Sequence, residues 1–206
     1  NNLFFTKLSV ALALTLALGA CAGPSQPSRY YVLSVVEPDM PREPDGPAVT
    51  LGPVSLAKYL DRPQIVTRPS PNQLDLSEFD RWGGRLEDNL AQVLAEDVAR
   101  RLKTARISVF PTEPSARTDA RVSVTISRFE QVGSGGDCVL EARWRLTRSA
   151  GGGDQEPVLG TFSVTKRASG AGYPAMVAAL SAAVGDLGVA IADAVSAHPL
   201  AHARNR

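Results

Sequence analysis

The residue with the clearest chemistry is Cys21, which closes the stretch Leu18-Gly19-Ala20-Cys21 behind an almost unbroken apolar run from Leu8 to Leu18. A cation at Lys7, a core rich in Leu and Ala, and small residues directly ahead of a cysteine are the parts of a secretory signal cut by lipoprotein signal peptidase. Gly19 and Ala20 let the backbone enter a narrow protease site, and the Cys21 thiol then accepts diacylglycerol. The apolar run is about half of the roughly 20 residues that a bilayer core requires, so a cleaved leader is expected rather than a permanent span. Each buried acyl CH₂ contributes about 0.8 kcal/mol, and stable anchoring takes more than one chain. A triacylated Cys21 is therefore expected to be the first residue of the mature protein and its membrane anchor. Ala22, rather than Asp, follows it, which points to export onward to the outer membrane. The chain opens on Asn1-Asn2, and the region ahead of the apolar run is expected to be cut short.

Other reactive groups form no catalytic pattern. There is no Gly-x-Ser-x-Gly elbow and no Walker loop, and both histidines, His198 and His202, lie in the terminal tail. No acidic or thiol group sits near them at ligand spacing, so neither a metal site nor a cofactor is expected. The best-placed carboxylates are Asp61, Glu78, Asp80 and Glu141. Asp61 beside Arg62 reads more simply as an ion pair in a turn, and Glu141 as a solvent-facing strand residue. Arg121, Arg128, Arg143 and Arg145 would form a basic face for lipid headgroups or a partner, or else an ordinary solvated sheet face. Cys138 falls on the apolar side of its strand and reads as a small buried hydrophobe.

Composition narrows the classes further. The chain has 206 residues, 22 basic and 21 acidic, for a net charge of +1. That balance offers no electrostatic basis for nucleic-acid binding. With Cys21 acylated, Cys138 is left without a partner, so the exported fold must stand without an internal disulfide. The length beyond the leader suffices for one domain with its own core.

The elements that must position these residues follow from periodicity. Residues 21–28 are small, polar and Pro-rich and read as a tether, and the fold proper spans 29–198, with 199–206 as a frayed tail. Tyr30–Val36 is apolar on both faces, as a central strand would be. The Pro-rich piece 37–47 reads as a loop. Val49–Leu56 changes phase at Gly52-Pro53, where a kink would let both halves face the core. A short turn through Lys58–Pro63 leads to a strand at Ile65, with Asn72–Leu76 returning as a hairpin partner.

Trp82, Leu86, Leu90, Val93, Leu94, Val98 and Leu102 then recur at three- and four-residue spacing, so one helix is predicted with Asp80 as its N-cap and Glu96–Arg100 as an i,i+4 pair. Gly83-Gly84 would weaken its first turn and admit another backbone. Three strands of period two follow, around Val122–Ile126, Leu140–Leu146 and Val158–Val164, joined at Gly133–Asp137 and Ala150–Asp154 as a meander. Pro174 opens a last helix striped by Val177, Leu180, Val184, Leu187, Ile191 and Val195. Asp186, Asp193 and many small residues mark it as buried in the fold or between subunits rather than in a membrane. The expected architecture is α+β: a single domain with a mixed, largely antiparallel sheet and two long helices packed on it.

With these elements in place a resemblance emerges. The acylated start, Tyr30-Tyr31-Val32-Leu33, the run Val54–Val66 with Tyr59-Leu60-Asp61-Arg62-Pro63-Gln64-Ile65-Val66 at its heart, and Arg81-Trp82 ahead of Leu86 and Leu90 together resemble the ABC-type transport auxiliary lipoproteins, the paraquat-inducible protein C-like family. Relatives often carry Trp, Ala and an acidic residue where this chain has Trp82-Gly83-Gly84. The resemblance implies a non-catalytic outer-membrane lipoprotein on the periplasmic face. Its implied partners are a mammalian-cell-entry (MCE) protein and its ABC transporter, in a system moving lipids between the inner and outer membranes. It further implies a symmetric homo-oligomer docked on the MCE assembly. Tyr59, Leu60, Asp61, Arg62 and Trp82 are the expected partner-binding residues, since aromatic and Arg side chains dominate binding hot spots. The same Tyr and Trp would equally serve as core anchors. The competing class is a lipoprotein assembly factor for an outer-membrane lipopolysaccharide or β-barrel machine.

Overall fold

The structure, a computed structural model, describes residues 26–111, 118–148 and 156–197. Cys21, its leader, both histidines and the turn at Gly151–Gly153 lie outside the described residues. The described residues form eight strands and two long helices: β1 Arg29–Tyr31, β2 Val49–Leu56, β3 Gln64–Ser70, β4 Gln73–Trp82, α1 Leu86–Leu102, β5 Ile107–Val109, β6 Ala120–Val132, β7 Asp137–Arg148, β8 Val158–Arg167 and α2 Gly172–Ala197.

β6 is the spine of the sheet because its alternation buries Ala120, Val122, Val124 and Ile126 on one face. On one side it pairs antiparallel with β7, and β7 with β8, which is the predicted meander. Gly133 and Gly136 turn the β6–β7 hairpin at φ values of 60° and 83°, which disfavour any residue with a Cβ. On its other side β6 meets two strands in succession. β2 runs parallel to its first half, and β3 reaches its end through Thr67↔Gln131 and Arg68↔Val132. The expected kink in β2 is found: the register shifts between Leu51 and Val54, at Gly52 with φ 111°.

The sheet is mixed rather than largely antiparallel, since the pairings β1·β4, β2·β5, β2·β6 and β3·β6 are parallel. For β5 and β6 the reason is the path of α1, which carries the chain back across the sheet before they begin and so returns them in the direction of β2. Both helices cover one face, α1 over β2 and β5 and α2 over β6, β7 and β8.

Two boundaries differ from the sequence reading. Trp82 ends β4 instead of starting the helix, and α1 begins at Leu86 with Arg85 at the N-cap and no side-chain cap. Asp80 does not cap α1; it is buried in β4 and bound elsewhere. Gly83 does admit another backbone, donating its N–H to the Tyr31 carbonyl at 2.7 Å. The predicted Glu96–Arg100 pair forms at 2.8 Å.

The central strand expected over Tyr30–Val36 is also different. Only Arg29–Tyr31 joins the sheet, at its edge, with Tyr30 exposed. The next residues run as a strap across the two helices, and helix side chains take the place of a strand ladder. Asn89 Oδ1 accepts the Leu33 N–H at 2.7 Å and Ser181 Oγ the Ser34 N–H at 3.1 Å. Asp97 Oδ1 accepts the N–H groups of Val36 and Glu37, each at 3.1 Å. Gly185 leaves the room: a Cβ there would lie 2.1 Å from Val36 Cγ2. Helix α2 is long and apolar enough to cross a membrane by composition, but Leu180, Val184, Leu187 and Ile191 are wholly buried against the sheet and α1. It is a core helix of this fold.

Candidate functional site

The β2–β3 connection, residues 57–63, is tied down by its own backbone. Ala57 N–H donates to the Ile126 carbonyl, Leu60 N–H to Ala57 and Arg62 N–H to Leu60, the last two at 2.8 Å. The Pro63 carbonyl accepts the Trp82 N–H at 2.8 Å, which fixes this turn against the end of β4. A rigid turn of this kind sends consecutive side chains in different directions, and it divides the five expected binding residues.

Leu60 and Trp82 point into the core, 1% and 5% exposed, and the Trp82 ring packs 6.2 Å from that of Phe129. Tyr59 turns toward a buried carboxylate, Glu130. Its hydroxyl donates to Glu130 Oε2 at 2.7 Å, and Glu130 also accepts from Arg68 Nε at 2.8 Å, Arg128 Nε at 3.1 Å and the Phe129 N–H at 2.9 Å. Burial alone would raise the Glu130 carboxyl, but these donors outweigh it and hold it below the ordinary value. The Tyr59 hydroxyl is pushed up to about 12, first by burial and then by its bond to the carboxylate.

Asp61 and Arg62 are the members that reach the surface. The ion pair expected between them is not formed; Asp61 is exposed, and Arg62 Nε is buried with no hydrogen-bond partner among the described residues. Together with Tyr30 at the rim and Trp82, Gly83 and Gly84 opposite, they line a cleft of about 400 Å³.

Beneath that cleft's edge of the sheet lies a second clamp that periodicity did not reveal. The Asp80 carboxylate accepts from Arg29 Nε and Nη2 at 2.7 and 3.0 Å, from Tyr31 Oη at 2.9 Å and from Ser77 Oγ at 2.9 Å. The Arg29 guanidinium, with Tyr31 and Ser77, keeps the Asp80 carboxyl below its usual range against the effect of burial. This clamp joins the first strand, and hence the tether side of the chain, to β4. The sequence offered Asp80 as a helix N-cap, and its partners on β1, Arg29 and Tyr31, lie about fifty positions away.

Glu141 pairs with Arg128 at 3.1 Å, and Glu78 is exposed. Arg128 is thus consumed by Glu130 and Glu141, whereas Arg143 and Arg145 are exposed with no ion pair among the described residues, and Arg121 lies 6.0 Å over the Phe110 ring. Cys138 is wholly buried and burial pushes its thiol up to about 11, which makes it a core side chain, as expected. Among the described residues no group of three or more His, Cys, Asp or Glu is placed to hold a metal ion.

A helix pair on a curled mixed sheet, with two internal charge clamps and a cleft at the sheet edge, defines an α+β body. The chain belongs to the ABC-type transport auxiliary lipoprotein component family, whose model matches residues 31–192. The fold is shared with an uncharacterized protein at a TM-score of 0.68 and 18% identity, over 82% of this chain and 99% of that one. It is shared also with protein XCC0632 from Xanthomonas campestris, of family DUF330, at a TM-score of 0.63 and 21% identity, over 81% and 94% of the two chains. A search of the curated proteins found no match.

Proposed function

We propose that this protein is a non-catalytic, lipid-anchored component of an ABC-type transport system that moves lipids between the two membranes of a Gram-negative envelope. The observation that carries this reading is the family match over residues 31–192. In the proposal residues 1–20 are removed, Cys21 is acylated and holds the protein on the periplasmic face of the outer membrane, and residues 21–28 give reach to the body that follows. The body docks an MCE protein as a homo-oligomer.

Within the expected binding set, Asp61 and Arg62 are the residues available to a partner, at the cleft rimmed by Tyr30. The unpartnered Nε of Arg62 favours an acceptor group on that partner, because a buried donor without an acceptor costs free energy that binding would recover. Leu60 and Trp82 support this surface from the core, and Tyr59 supports it through Glu130.

Cross-linking in intact envelopes tests the proposal. The expected neighbour is an MCE-domain protein, and the cross-link should be lost in Asp61→Ala/Arg62→Ala while the melting temperature is unchanged. Capture of a β-barrel or lipopolysaccharide-assembly protein instead would transfer the chain to the assembly-factor class. A mature protein without an acyl group on Cys21, or with residues 1–20 still attached, would sink the anchor.

A further inference from the structure

Both helices lie on one face of the sheet, so alternate residues of β6, β7 and β8 face solvent on the other: Arg121, Thr125, Arg143, Arg145, Thr161 and Ser163 are all exposed. The register gathers the arginines. Arg145 stands between Ser123 and Leu159, Arg143 between Thr125 and Thr161, and Arg121 is opposite Thr147. Along β7 the backbones of Arg143 and Arg145 are therefore about 7 Å apart, and Arg121 is a diagonal neighbour of Arg145 at about 7–8 Å. These spacings lie within the Debye length of about 8 Å at physiological salt, so the three charges repel one another. No counter-charge relieves them. Nine other arginines among the described residues stand in ion pairs, whereas these three do not. The acids of the three strands are Asp137, Glu141 and the buried Glu130, and each is already bound to an arginine. Two apolar side chains stand out beside the cluster. Leu159 is 67% exposed directly across from Arg145, and Phe110 is 45% exposed with its ring 6.0 Å from the Arg121 guanidinium.

We propose that this face is an adsorption surface for an anionic bilayer, in which Arg121, Arg143 and Arg145 meet headgroup phosphates and Leu159 and Phe110 enter the boundary between headgroups and acyl chains. An unpaired cluster gains twice on such a surface, because the phosphates attract each guanidinium and also screen it from its neighbours. Guanidinium matches phosphate with two parallel hydrogen bonds, and the hydroxyls of Ser123, Thr125 and Thr161 stand beside the arginines to meet further phosphate oxygens. Exposed apolar groups next to cations suit the headgroup boundary, which is apolar on one side and wet on the other, and they favour a bilayer over an acidic protein surface. The tether allows the arrangement. Residues 21–28 extend to at most about 28 Å. β1, which they lead into, lies four strands from β7 through β4, β3 and β6, roughly 19 Å at the usual strand spacing. A bilayer that holds Cys21 can therefore also lie against this face. That orientation rests on the anchor proposed above, whereas the adsorption rests on the face alone.

Flotation with lipid vesicles tests the surface, using the unacylated chain from residue 21 onward, which holds every strand and helix described. The chain should float with vesicles of phosphatidylcholine and phosphatidylglycerol in equal parts, stay behind with phosphatidylcholine alone, and be released by salt. Arg143→Gln/Arg145→Gln should lower the partition coefficient roughly fivefold for each arginine removed. Arg101→Gln/Lys103→Gln takes the same charge from the end of α1 and should stay near the wild type. All four positions are exposed, so unchanged thermal melting serves as the folding control. Equal losses in the two double variants would reduce the effect to net charge and overturn the proposal. So would binding no stronger to anionic than to neutral vesicles, or a face that leaves vesicles alone and captures an acidic envelope protein through Arg143 and Arg145. Because the chain tested has no acyl group, a failure to float leaves the Cys21 anchor standing, and a Cys21 found without an acyl group leaves the adsorption standing.

Discussion

Asp97 holds Val36 across 61 positions of sequence: its Oδ1 accepts the Val36 N–H at 3.1 Å, and the Glu37 N–H at the same distance, while its Oδ2 is buried with no hydrogen-bond partner among the described residues. One carboxylate on α1 thus fastens the strap between the first strand and the body, and burial raises its pKa above the ordinary value in spite of the two donors. Arg100 Nη1 donates to the Glu37 carbonyl at 2.9 Å and closes the clasp from the next turn.

Asp97→Ala leaves both strap donors without an acceptor, at about 1–3 kcal/mol for each that stays buried. A loss of about 2–4 kcal/mol in urea unfolding is expected, with faster amide exchange at Val36 and Glu37. Asp97→Asn keeps an acceptor oxygen and removes the buried charge, so it should cost far less. Equal losses in the two variants would show that the clasp is not what holds the strap.

Glu130 is wholly buried and is the hub of a cluster with Arg68, Arg128 and Tyr59. Removing one partner of a buried pair strands the others, so Glu130→Ala should cost about 3–5 kcal/mol. Tyr59→Phe removes a single donor and should cost about 1 kcal/mol. Denaturant midpoints of the two variants check the ranking, and a Tyr59→Phe loss as large as that of Glu130→Ala would contradict it.

Acid sensitivity follows from the same clusters. The carboxyls of Asp80 and Glu130 are held below their ordinary values in the fold. Their contribution is therefore present above the ordinary carboxylate range of about 4 and is lost as pH falls through the lower folded values. The Tyr59 hydroxyl is raised, so its contribution is complete below about 10 and is lost as pH rises through about 12. Unfolding free energy measured against pH should fall on both sides, and Asp80→Asn should flatten the acid limb. An acid limb of undiminished slope in that variant would assign it to other groups.

Leu60→Ala and Trp82→Ala should destabilise by about 2–5 kcal/mol, as large-to-small changes in a packed core do. Asp61→Ala should stay within about 0.5 kcal/mol of wild type, and Arg62→Ala, which removes an unpaired buried donor, should not destabilise by a core-sized amount. Thermal melting separates the two pairs. A core-sized loss at Asp61 would place that side chain in the fold rather than at a surface open to partners.

Local pattern carried much of this architecture. The alternation Val122–Val124–Ile126, the Leu86–Leu90–Leu94–Val98 stripe, the apolar face of α2 and the Gly52-Pro53 phase change each express a periodicity within one element, so each was legible before folding was considered. The Tyr59–Val66 run was distinctive in the same way, but its spacing did not say which side chains turn inward. That was settled by the turn and by the Pro63–Trp82 hydrogen bond to a strand formed later in the chain.

What only the tertiary structure decided are the relations between elements: the direction of the strands, the fate of Tyr30–Val36, and the partners of Asp80, Asp97 and Glu130. Tyr30–Val36 has the composition of a central strand, yet past Tyr31 its backbone donors are met by Asn89, Ser181 and Asp97 from two helices. A hydrophobic period reports which face of an element is buried; it holds no information on which distant side chain will satisfy a buried N–H or a buried charge. Those pairings are fixed only when the helices, the strap and the sheet close on one core, because only there does leaving a polar group unpaired carry its cost.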